Sequence, residues 1–94
     1  MTLNKNAGDQ MKTAMILLIK YESPTVPLVD ICKDYFGLDA RTAKERALSQ
    51  QLPVPVFRMA NSQKSPWLIH LSDLAAYIDS QAELARKDFK NLHG

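Results

Sequence analysis

The chain reads as a mainly α-helical fold with one small β-hairpin, in the order helix, helix, tight turn, helix, hairpin, long helix. Three observations predict this. Apolar residues recur at spacings of three and four over most of the length, the pattern of helices with one buried face. Between two such stretches lies Tyr35-Phe36-Gly37-Leu38-Asp39-Ala40. Gly37 can take the positive φ that ends a helix, and Asp39 can accept from the first free N–H groups of the next one. Two short helices so closely joined must meet at a steep angle, the helix-turn-helix arrangement. Finally, two extended segments flank the polar loop at 60–66, and a hairpin placed there makes the module winged.

The first helix is predicted from about Asp9 to Tyr21, after a disordered tail over residues 1–8. Met11–Ile19 is apolar around most of its circumference, so it should be buried on more than one side, within the domain or against a second chain. Pro24 and Pro27 bound a short extended link. The second helix, Leu28–Phe36, turns Leu28, Ile31 and Tyr35 inward together with Val29, Cys32 and Phe36.

The third helix is predicted over Ala40–Gln50, with Ala40, Ala43 and Ala47 against its neighbour and a polar face outward. Leu52–Met59 is extended. Pro53 and Pro55 lose their N–H groups on one edge, so that edge should lie unpaired while Trp67–Leu71 returns along the other. Ser72 is the expected N-cap of a last helix reaching about Leu92. Its stripe Leu74, Ile78, Ala82, Ala85, Phe89 and Leu92 is longer than so small a domain needs, which makes residues 73–92 a candidate dimerisation element.

At 94 residues the chain is expected to form a single domain over 1–94. Net charge is only +2, but it is unevenly spread. Residues 37–70 hold Arg41, Lys44, Arg46, Arg58 and Lys64 against Asp39 and Glu45, while the flanking segments are neutral or slightly acidic. The positive excess sits where a winged module would meet phosphates. One cysteine, Cys32, forbids an internal disulfide, and no apolar run is long enough to span a bilayer, so the cytoplasm is the expected compartment.

Catalysis is not expected. His70 and His93 have no nucleophile nearby in sequence, and the three glycines are isolated rather than gathered into a phosphate loop. No cofactor, metal or small-molecule substrate is expected. Cys32 reads as a core residue and Trp67 as the cover of the core beneath the wing.

The candidate DNA-binding set follows from the module. Arg41, Thr42, Lys44, Glu45, Arg46 and Ser49 lie on or beside the outer face of the third helix, where Arg can read guanine and Glu can accept from cytosine. The competing reading is a solvated face with an Arg41–Glu45 pair. Ser62, Gln63, Lys64 and Ser65 in the loop, with Arg58 supporting from the outer face of the strand, can meet phosphates or the minor groove. Against that stands an ordinary polar loop.

Two resemblances sharpen this reading. Val26–Asp79 resembles the excisionase-like and MerR-like winged helix-turn-helix domains, including the pattern Ser72-Asp73-Leu74-Ala75-Ala76-Tyr77 at the start of the last helix. Roughly Met15 to Phe89 resembles the pyocin activator protein family. The matching segments are Val26-Pro27-Leu28, Tyr35-Phe36-Gly37-Leu38, Leu52-Pro53-Val54-Pro55 with Phe57-Arg58, Ser62-Gln63-Lys64-Ser65-Pro66-Trp67 and Asp73-Leu74-Ala75.

The family resemblance implies sequence-specific binding to double-stranded DNA upstream of phage-type or bacteriocin-type genes, with activation of transcription. The long last helix suggests a second copy of the chain, as homodimer or higher oligomer, as a partner, and activation of transcription suggests RNA polymerase as a further one. An excisionase-like factor that bends DNA, and a protein-interaction module without specific DNA binding, are the alternatives.

Overall fold

The computed structural model describes residues 5–93. It is mainly helical with a two-stranded antiparallel sheet, a winged-helix-like arrangement. The order is α1 (Lys5–Tyr21), β1 (Thr25–Pro27), α2 (Leu28–Phe36), α3 (Ala40–Leu48), β2 (Leu68–His70) and α4 (Leu71–His93).

Local cap chemistry sets the middle of the fold. Gly37 ends α2 at φ 66°, and its N–H bonds back to the Lys33 carbonyl at 3.1 Å. Asp39 is extended and accepts from the Thr42 N–H at 2.7 Å, so α3 starts at the next residue. Its far end comes two residues sooner than expected. Ser49 folds its hydroxyl back onto the Glu45 and Arg46 carbonyls, and Gln50 turns the chain at φ 55°.

The sheet corrects the expected hairpin. β2 pairs not with Leu52–Met59 but with β1, in the register Thr25↔His70, Val26↔Ile69 and Pro27↔Leu68. Val26 and Ile69 face each other and are both buried. On its other edge β2 meets the Leu52–Met59 segment only at Phe57, which exchanges both backbone hydrogen bonds with Leu68 at 3.0 and 2.7 Å. Pro53 and Pro55 cannot donate, so the extended segment never forms a ladder. It holds on by side chains instead: Val54 and Val56 are buried while both prolines are exposed.

The start of α4 also differs. The helix begins at Leu71, and Ser72 sits in its first turn rather than capping it. His70 supplies the capping acceptor: its Nδ1 takes the Ser72 N–H at 3.2 Å and lies 2.7 Å from the Ser72 hydroxyl. Leu71 N–H donates to the Pro24 carbonyl at 2.9 Å, tying the helix start to the strand entrance.

Helices α1 and α4 run antiparallel, since Leu71 meets Pro24 at one end while Thr13 Oγ1 donates to Asp79 Oδ1 at 2.8 Å further along. α1 begins at Lys5, before the expected start at Asp9; residues 1–4 of the expected tail lie outside the described residues. The helix is not enclosed on several sides. Leu17 is buried and Ala14 and Tyr21 pack against the core, whereas Met11, Met15, Ile16, Leu18 and Ile19 are exposed.

The core itself is gathered from every element: Leu17, Val26, Leu28, Ile31, Cys32, Ala43, Ala47, Ile69, Leu71, Leu74 and Ala75, with Val54 and Val56. Each fully buried Leu or Ile contributes about 1.5–3 kcal/mol. Phe36 meets Tyr77 edge-on at 5.3 Å and joins the end of α2 to α4. Burial, then the hydrogen bond with Tyr21 and the nearby charges, push the Tyr35 phenol upward in pKa.

Candidate nucleic-acid interface

Because α3 has only Ala43 and Ala47 fully buried, it lies close against its neighbours and shows the rest of its circumference to solvent. Ala40, expected inside, is exposed because it stands at the first turn. Arg41, Lys44, Glu45, Arg46 and Ser49 are exposed, as the helical period requires. Thr42 is half-buried, with its N–H committed to Asp39. Arg41 Nε lies 3.6 Å from Glu45 Oε1, an exposed i,i+4 pair that the approach of a charged partner could open at little cost. Ser49 spends its hydroxyl on the end of α3.

The loop between Phe57 and Leu68 is tied together around Ser62. The Ser62 carbonyl accepts from Arg58 Nη1 at 3.3 Å and from the Ser65 N–H at 3.1 Å. The Ser62 hydroxyl oxygen accepts from the Lys64 N–H at 3.2 Å. Arg58 is therefore half-buried rather than presented on an outer face, and its guanidinium covers the Trp67 ring at 4.4 Å from the centroid. Trp67 is half-buried beneath it. Gln63 and Lys64 are exposed, Ser65 is half-buried, and these three are left at the tip by the internal duties of Ser62 and Arg58.

The two candidate surfaces meet. A cleft of ≈ 290 Å³ is lined by Val29 of α2, Lys44 of α3, and Gln63, Lys64, Ser65, Pro66 and Trp67 of the wing. Residues distant in sequence, Lys44 and Lys64, thereby share one concavity that contains no carboxylate. Val29, expected to face inward, is exposed and forms part of this wall. Nothing in the helical period singled it out, because a residue at the margin of an apolar face can be turned either way by its neighbours.

Cys32 is buried, with Sγ–H directed at the Val29 carbonyl at 3.8 Å. Among the described residues, no helix is long and apolar enough to cross a membrane, and no group of His, Cys, Asp and Glu is placed to hold a metal.

The family model described as Pyocin activator protein PrtN matches residues 13–85. The chain belongs to the pyocin activator protein family. The matched stretch runs from Thr13, where α1 is bonded to α4, through both short helices, the sheet and the whole wing. Family membership makes activation of pyocin gene transcription the expected role, a regulatory and non-enzymatic one. No curated protein and no solved structure matches the chain.

Proposed function

We propose that this member of the pyocin activator family activates transcription by binding double-stranded DNA, with α2, the turn and α3 serving as a helix-turn-helix. In this reading α3 enters the major groove and turns Arg41, Glu45 and Arg46 toward base edges. The wing lies over the adjacent backbone through Gln63, Lys64 and Ser65. The observation that carries the reading is the meeting of Lys44, on the flank of α3, with the tied cationic wing in one carboxylate-free cleft. A loop already held in shape loses little entropy on binding.

A single module offers few cationic contacts, so useful affinity calls for two copies on paired half-sites. The exposed apolar surface supplies a means. Met11, Met15 and Leu18 form one row of α1, with Ile19 beside it, on the side opposite the buried Leu17. On α4 the apolar stripe divides: Leu74 is buried and Ile78 half-buried, whereas Ala85, Phe89 and Leu92 are exposed. A second copy of the chain, related by a twofold axis, would cover both rows.

The test is fluorescence-anisotropy binding to a duplex library at several salt concentrations, with random DNA as competitor. Selection of a short motif with a steep salt dependence is the expected result. Arg46→Ala, an exposed position, should reduce discrimination between the selected duplex and random DNA while leaving the circular-dichroism spectrum unchanged. Unaltered discrimination would remove α3 from the major groove. If the wild-type protein ignores DNA even at low salt, the exposed apolar rows point instead to a protein-interaction module.

A further inference from the structure

Lys44 and Lys64 come from separate elements, one from the middle of a helix and one from the wing, yet they line the same cleft. Among the described residues neither takes part in an ion pair, in contrast to Arg41, which Glu45 partly neutralises. Two unneutralised ammonium groups facing one concavity repel each other, and an anion between them relieves that repulsion. The remaining polar lining consists of the Gln63 amide and the Ser65 hydroxyl, both able to donate to an oxyanion.

The apolar part of the lining is Val29, Pro66 and Trp67, so the cleft also favours a small, uncharged, ring-shaped neighbour to the anion. At ≈ 290 Å³ it lies at the lower edge of the roughly 300–1,000 Å³ typical of sites for whole small molecules. It suits one anionic group with its attached sugar better than a cofactor. Arg58, which does not line the cleft, covers the Trp67 ring and bonds the Ser62 carbonyl, so it holds two parts of the wing together.

We infer that this cleft is a clamp for one DNA backbone phosphodiester, held by Lys44 from one side and Lys64 from the other, with the adjoining deoxyribose against Trp67 and Val29. The inference rests on the proposed DNA-binding function and refines it. Lys44 becomes a phosphate contact rather than a reader of bases, and the wing and α3 act on the same nucleotide unit. The clamp would fix the angle at which α3 enters the groove, because the helix and the loop would share one point of attachment on the strand.

The experiment replaces backbone phosphates of the selected duplex, one at a time, with uncharged methylphosphonates. Binding is measured for the wild-type protein, Lys44→Ala and Lys64→Ala. Both lysines are exposed, and circular dichroism checks that each variant is folded. The clamp requires one position where neutralisation weakens wild-type binding about tenfold but has little effect on either variant. Loss of sensitivity at two different positions overturns the clamp and leaves DNA binding in place. The same holds if neither variant changes the sensitivity of any position. Absence of a selected duplex for the wild-type protein overturns the functional reading beneath it.

Discussion

Arg58 lies over Trp67, with the guanidinium carbon 4.4 Å from the ring centroid, and the same guanidinium donates to the Ser62 carbonyl. One side chain thus binds the wing to the only tryptophan and closes the loop on itself. A residue that sequence alone places on an outward strand face acts as a bracket, its guanidinium held electrostatically against an aromatic face.

Arg58→Ala should therefore loosen the wing more than it weakens the domain. The expected loss is about 0.5–1 kcal/mol in urea denaturation, the range for a partly exposed cation–π contact. Amide hydrogen exchange at residues 60–66 should quicken, with α2 and α3 unaffected. Unchanged exchange in the loop would mean that the Ser62 bonds hold it without Arg58.

Asp39 offers a test by acid. The Thr42 N–H and then the Thr42 hydroxyl, both bonded to its carboxylate, hold its pKa below the ordinary 3.8. A depressed folded value means that the carboxylate stabilises the fold above the unfolded pKa and stops doing so as pH falls through the folded one. Asp39→Asn caps a helix comparably but cannot titrate. The variant should match the wild type near neutrality and lose less stability on acidification below about pH 4. Parallel stability curves for the two proteins down to pH 2 would contradict the cap.

Thr13 and Asp79 join α1 to α4 through a part-buried hydrogen bond. Asp79 Oδ2 is buried and, among the described residues, has no hydrogen-bond partner. Thr13→Val removes the donor from Oδ1 as well and should cost about 1–3 kcal/mol. Thr13→Val combined with Asp79→Leu should recover most of that loss, since an apolar pair leaves nothing unsatisfied. Urea titration of the three proteins decides it. A double variant less stable than the single one would show that the pair contributes more than mutual satisfaction.

The apolar rows predict an oligomer. Sedimentation of the wild-type chain should show a dimer at micromolar concentration, and Ile19→Glu or Phe89→Glu should yield a folded monomer. Ile19 is 76% and Phe89 65% exposed within one chain, so a charge at either position should leave the fold intact. The monomeric variant should bind a duplex with two half-sites much more weakly than the wild type does. A monomeric wild type would remove the second copy from the proposal.

How much of this was legible depends on the range over which each feature is determined. The limits of α2, the left-handed Gly37 and the Asp39 cap follow from neighbours within four residues, and sequence reading placed them correctly. The burial of Cys32, Ala43 and Ala47 followed from helical period. The charged tip of the wing was visible as a run of polar residues between extended segments.

Pairing and covering were not legible in the same way. Leu68–His70 could be seen as a strand, but a hydrogen-bonding edge does not specify its partner. The adjacent segment had lost two donors to Pro53 and Pro55, and the distant Thr25–Pro27 took the place instead. His70 became the cap of α4 because β2 delivers its ring over the first turn. Val29, Lys44 and Lys64 became neighbours only when the wing was laid back beside α2 and α3. Sequence by itself determined the helices, the capped turn between α2 and α3 and where the positive charge resides, since those are local properties of the chain. Tertiary structure alone decided which strand pairs with which, which apolar face stays bare and which two lysines share a cleft. Those depend on competition among surfaces far apart in the chain.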